Sequence, residues 1–208
     1  MKGIITLILT CLLLISSGCS KDSLPDEPLP DTQAFKNEFT RGFMASAEET
    51  EDGYYTFESK TNGYTMLFPE HAKVSESDFE SHEDKYETFS LGEKMKNQNT
   101  SYYIKLTYEK APSINDIDVH QELLAVTSGY KGDFKREEFS KNIVYSAREN
   151  NEEEGLFYYI AVVKAKGTDQ LIRLTFDSSC SNGETECNVN PNELNQRLTN
   201  IVHSIQFK

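Results

Sequence analysis

Apolar residues recur with period two over much of the chain, which rules out an all-helical fold and requires paired strands. The clearest case is Tyr102, Ile104, Leu106 and Tyr108, alternating with Tyr103, Lys105 and Thr107. That alternation marks a strand with one buried face. Residues 54–59 and 64–68 are also β-rich and flank Lys60-Thr61-Asn62-Gly63. Asn-Gly between two such runs predicts a β-hairpin, and Pro69 ends its second strand. Residues 70–84 are polar and acidic and read as a loop. Further strands are expected over residues 85–91, 134–140, 143–148, 156–165 and 170–176, with an acidic turn at 150–154.

Helical periods interrupt this pattern. Pro112 and Ser113 open a helix of about 15 residues, with Ile117 and Leu124 inward and Gly129 closing it. The last helix has the fullest signature: Asn190 as cap, Pro191 at the first helical position and Glu193 three after the cap. Leu194, Leu198, Ile201, Val202 and Ile205 form its apolar stripe. Asp31 or Thr32 is expected to cap a first amphipathic helix, to about residue 47, within a segment 32–49. There Phe35, Phe39 and Phe43 fall at i, i+4 and i+8, a stripe suited to the domain's own core or to a docking partner. The expected class is α+β, an antiparallel β-sheet covered by helices, with residues 50–208 as a single domain.

The Gly63-Tyr-Thr-Met-Leu-Phe-Pro69 strand, and the closing helix running into Ser204-Ile205-Gln206-Phe207, resemble the PsbP/Mog1/DcrB type of sandwich over about residues 53–208. That resemblance implies accessory and binding roles and brings no catalytic residue with it.

The chain begins with Lys2, an apolar run from Ile4 to Ile15, then Ser16-Ser17-Gly18-Cys19. A charged start, a short apolar stretch and small residues make a secretory signal, residues 1–18. The apolar run is shorter than the ~20 residues of a spanning helix. Small residues, Gly and then Cys resemble the lipobox of bacterial lipoproteins, although Ser16 stands where lipoboxes usually carry Leu. The resemblance implies that Cys19 becomes the mature N-terminus. Diacylglycerol would sit on its thiol, and fatty acid such as palmitate would complete the anchor. It also implies a place on the outer face of a cell membrane. Residues 19–31 carry three prolines among acids and read as a disordered tether of roughly 30 Å reach.

Net charge is −13, with no Trp among 23 Phe and Tyr residues (12 and 11). Such a balance excludes a nucleic-acid partner, which needs basic patches, and disfavours binding of anionic lipid by the folded surface. Partners are therefore the membrane, through the lipid on Cys19, and an envelope or membrane protein. Cys180 and Cys187 enclose a short polar run and, outside the cytosol, read as a disulfide. Closing so short a loop stabilises by on the order of 2–3 kcal/mol.

No cofactor, metal or catalytic residue is assigned. His71 and His82 lie among Glu70, Glu76, Asp78, Glu80, Glu83 and Asp84, but their spacing matches no ligand motif. His120 and His203 sit on the middle and last helices. Residues 177–186 look in passing like a calcium loop, yet Asn182 stands where Gly is required. G-x-S-x-G, Walker, G-x-G-x-x-G and H-E-x-x-H motifs are absent from the sequence. The alternatives to an accessory or binding lipoprotein are an envelope hydrolase with paired carboxylates and a small-ligand or metal-binding lipoprotein. Tyr54-Tyr55, Tyr102-Tyr103 and Tyr158-Tyr159 should each give one core ring and one outer ring.

Overall fold

The computed structural model describes residues 28–95, 98–151, 156–180 and 190–208. The signal, Cys19, residues 20–27 of the tether, part of the 150–154 turn and Cys187 lie outside them.

Eleven strands and four α-helices are described: α1 Gln33–Lys36, α2 Glu38–Arg41, β1 Tyr54–Glu58, β2 Tyr64–Pro69, β3 Lys73–Val74, β4 Glu80–His82, β5 Tyr86–Met95, β6 Thr100–Lys110, α3 Ile117–Ser128, β7 Lys135–Phe139, β8 Asn142–Asn151, β9 Leu156–Ala165, β10 Gln170–Cys180, α4 Pro191–Ser204 and β11 Gln206–Phe207. The large sheet runs β3-β5-β6-β10-β9-β8-β7, with β4 also on β5, and the small sheet runs β1-β2-β11. Every pairing is antiparallel. The class is α+β, as the periodicity requires.

Side-chain alternation divides the large sheet into two faces. On one, Tyr102, Ile104, Leu106 and Tyr108 of β6 join Ile172, Leu174 and Phe176 of β10 beneath the small sheet and α4. Phe43, Phe57 and Phe89 stack at that interface, with ring centroids 5.1 Å and 5.0 Å apart. On the other face, α3 covers Ala147, Ile160, Val162 and Leu171. β9 is apolar at nearly every position because both its faces are covered, so its residues do not alternate in polarity. α4 starts where Asn190 Oδ1 accepts the N–H groups of Asn192 and Glu193, at 3.2 and 3.3 Å. α3 stops at Gly129, which takes φ +76°.

The first helix differs from the expected one. It breaks at Asn37, whose backbone is extended and whose Oδ1 accepts from Thr40 N–H at 2.8 Å, restarting the helix as α2. An Asn side chain that bonds nearby backbone competes with the helical ladder. Residues 43–45 then run extended beside β1. Phe35 and Phe43 are buried and Phe39 packs against the same core, so the segment is part of the domain, not a separate docking helix. The 70–84 loop also needs correction: it contains β3, a 3-10 turn at Glu76–Asp78, and β4. Its acidic residues point to solvent while Ala72 and Val74 anchor it. Tyr102 and Tyr103 divide between core and solvent as expected, at 0% and 58% exposure, whereas Tyr54 and Tyr55 are both buried. Tyr55 shares the core-facing parity of Phe57 and packs edge-on against Phe35, 4.8 Å away, while Tyr54, on the opposite face of β1, is covered as well.

In the hairpin, Asn62 carries the positive φ (55°). Gly63 is needed for close approach, since a Cβ there would lie 2.4 Å from the Tyr108 ring. Beside this turn, Glu87 of β5 is fully buried. Its carboxylate accepts from Lys60 N–H at 2.7 Å and from the Tyr64 hydroxyl at 2.8 Å. Burial raises the Glu87 pKa against the lowering effect of those donors. With a raised folded pKa, the group's contribution to stability is complete below the unfolded value and is lost as pH rises through the folded one. Glu87→Gln keeps one acceptor and removes the charge, so its stability relative to wild type should improve between pH 4.5 and 7.5. Denaturant unfolding at the two pH values measures this. Glu87→Ala should instead cost on the order of 3 kcal/mol by stranding two buried donors.

Candidate functional site

Two recesses lie beside buried or half-buried charged groups. One, of about 650 Å³, lies where the chain enters the domain, between α1, the end of β5 and the start of α4. At its floor Glu93, 7% exposed on β5, accepts from the Tyr102 hydroxyl at 2.7 Å and from Arg197 Nη1 at 3.1 Å. Arg197 Nη2 lies 3.7 Å from Glu193, and the guanidinium stands 5.8 Å from the Tyr102 ring centroid. Gln98 Nε2 donates to the other oxygen of Glu193 at 2.5 Å. Burial, reinforced by Glu93, pushes the Tyr102 hydroxyl well above its usual range. A glycan hydrolase needs one carboxylic acid and one carboxylate presented to substrate. Here Arg197 lies between the two carboxylates and engages both. The arrangement is a charge-assisted tie that holds α4 to the sheet.

The other recess, of about 480 Å³, lies between α3 and the sheet face opposite the main core. Arg173 of β10 donates from Nη2 to Glu109 of β6 at 2.7 Å. His120 of α3 is 8% exposed, with Nδ1 4.0 Å from the same Glu109 oxygen. His120 Nδ1 and Arg173 Nε are both buried without a hydrogen-bond partner. Buried polar atoms are normally paired; these two, one on α3 and one on β10, belong to side chains that both approach Glu109.

The remaining histidines are dispersed. His71 lies 3.4 Å from Glu70 and His82 2.6 Å from Glu80, both exposed. His203 stacks on Phe139 with centroids 4.0 Å apart and pairs with Glu137 at 2.8 Å. Among the described residues, no three His, Cys, Asp or Glu are grouped to hold a metal. Cys180 ends β10, and the expected partner Cys187 lies outside the described residues. Of the residues that line the two recesses, sequence reading singled out His71 and Glu193 in the first and Tyr158 in the second, none of them for the role it has here. Glu87 and Glu93 did carry a signal: they share the parity of Phe89 and Leu91, so an acid falls on a core-facing position at each end of β5.

Residues 30–206 match the family described as "Putative lipoprotein YvcA". The chain belongs to that YvcA/Mog1p family. It is 27% identical over 234 aligned residues to the "Putative lipoprotein YvcA" of Bacillus subtilis (strain 168), covering 100% of this chain and 97% of that protein. A crystal structure from Bacteroides thetaiotaomicron VPI-5482 aligns with TM-score 0.39 and 12% identity, covering 74% of this chain. The chain spans about half (48%) of that structure's length. Among the described residues, no helix is long and apolar enough to cross a membrane.

Burial lowers the His120 pKa, against the attraction of Glu109. The native state then binds fewer protons at this site than the unfolded chain, so stability falls as pH drops below the unfolded value of about 6.5. His120→Gln should flatten the stability profile between pH 7 and 5, as read by thermal melts across that range. An unchanged slope would mean that the imidazole titrates as it does in water.

Proposed function

We propose that the protein is an extracytoplasmic, lipid-anchored lipoprotein of accessory or binding type, with a diacylglyceryl group on Cys19 as its anchor. The observation that carries this reading is Cys19 itself, directly behind Ser16-Ser17-Gly18 and an apolar run, in a chain whose remainder belongs to a lipoprotein family. The start of the domain supports it: Leu29 is exposed, and the first fully buried residue after it is Ala34, whose N–H bonds Glu70 O at 3.0 Å. A Pro-rich segment ahead of that contact suits a spacer between lipid and domain. One acyl chain holds a protein only marginally, and two or more anchor it stably. The partner is an envelope or membrane protein, met by the folded domain and not by the α1–α2 segment, which is part of the core. Cys19→Ala should move the protein from the membrane fraction to the soluble or secreted fraction. Unchanged membrane retention would overturn the lipid reading.

An oxidising location also suits the Cys180–Cys187 bridge. The place of Cys180 at the end of β10 would let the bridge close the segment that leads to α4. Cys187→Ser should lower the melting temperature by several degrees, in line with a loss of on the order of 2–3 kcal/mol. A melting temperature that is the same for both chains, with and without reductant, would remove the bridge from the account.

A further inference from the structure

The recess under α3 has the chemistry of a site for an organic anion. β6 and β10 pair with Thr107 opposite Arg173 and Lys105 opposite Thr175. All four line the recess, so two cations and two hydroxyls stand on alternate corners of one cross-strand square. Arg173 gives Nη2 to Glu109, and its buried Nε has no partner. Lys105 enters no ion pair among the described residues. Leu123 and Tyr158 form the apolar side of the recess, and Leu123 is 43% exposed at its rim. Asp177 lies four residues from Arg173 on the same strand, roughly 13 Å away at about 3.3 Å per residue. It is closer to the other corner, two residues from Thr175 and diagonal to Lys105 at about 7 Å, so the Arg173 end is the one an anion meets without a facing acid other than Glu109.

We infer that this groove binds an amphiphile with a terminal carboxylate. The carboxylate would meet the Arg173 guanidinium, Lys105 and the Thr175 hydroxyl, and the apolar tail would lie along Leu123 and Tyr158. Planar guanidinium donors suit a carboxylate. A few convergent polar groups beside an apolar wall, in a volume of several hundred Å³, are the usual form of a small-ligand site. The inference rests on the binding-type reading of the domain and is independent of the anchor on Cys19.

Photolabelling tests it. The full-length chain in lysate is exposed to decanoic acid bearing a diazirine on its tail, then purified from whichever fraction holds it, and crosslinked peptides are mapped. Crosslinks should concentrate on residues 123–128 and Tyr158. Decanoate should compete and decanol, which has the same tail without the charge, should not. Lys105→Gln and Thr175→Val change side chains that are not fully buried and should each lower labelling at that site, the former by about tenfold. Arg173→Gln should abolish it, with thermal melts checking that the variant folds. No labelling at α3, equal competition by decanol, or undiminished labelling of Lys105→Gln would overturn the site. The label does not depend on membrane attachment, so its failure is distinct from failure of the Cys19 anchor.

Discussion

The fold depends on closure of the small sheet by residues far apart in sequence. β11 pairs with β2, Gln206 against Thr65 and Phe207 against Tyr64, and Leu67 N–H donates to the Ser204 hydroxyl across 137 positions. Gln170 fixes the same corner from the large sheet, with its amide nitrogen within hydrogen-bond reach of Gly63 O, the Tyr108 hydroxyl and Lys208 O. Asn142 adds a bond from β8 to Ile205 O at 2.7 Å. Without these ties β1 and β2 would be an isolated hairpin, which is marginal in water. With them, the hairpin becomes a lid over the aromatic core.

Buried charge is the second organising element, and it is used consistently. Glu87 and Glu93 lie on the core-facing side of β5, and each is held by a buried tyrosine hydroxyl and by a donor from another element. Glu87 fastens the hairpin turn, and Glu93 fastens α4 through Arg197. A buried ion without such partners would cost several kcal/mol. These networks therefore select one arrangement of sheet, hairpin and helix more than they add net stability. Each recess has a buried atom without a hydrogen-bond partner nearby, Gln98 Oε1 at the first and Arg173 Nε at the second. The first recess reads as structure because Arg197 ties both of its carboxylates, and the second differs in that its Lys105 enters no ion pair among the described residues.

Alternation and helix caps made most of the architecture legible in the sequence. β6 followed its pattern from Tyr102 to Tyr108, and Asn190-Pro191 marked the start of α4. The break at Asn37 was hidden because three phenylalanines at helical spacing outweighed one residue whose side chain caps the following turn. β3 and β4 were hidden because strands of two or three residues have too few positions to show a period. The recesses were less legible still. Arg173, Glu109 and His120 are brought together by strand pairing and by the docking of α3, and no local spacing records that. Glu87 and Glu93 could have been noticed as acids in phase with a core-facing row.

Closure of the small sheet also sets an order of events. Residues 205–208 come late in synthesis, long after the hairpin that needs them. Until they arrive, Tyr64, Met66 and Phe68 have no finished sheet to belong to, and loop-closure entropy opposes their early burial. The large sheet is complete once β10 is made, whereas the small sheet closes only with the last residues of the sequence. On the proposed extracytoplasmic reading, such late closure would leave the hairpin side of the core open while the chain is threaded.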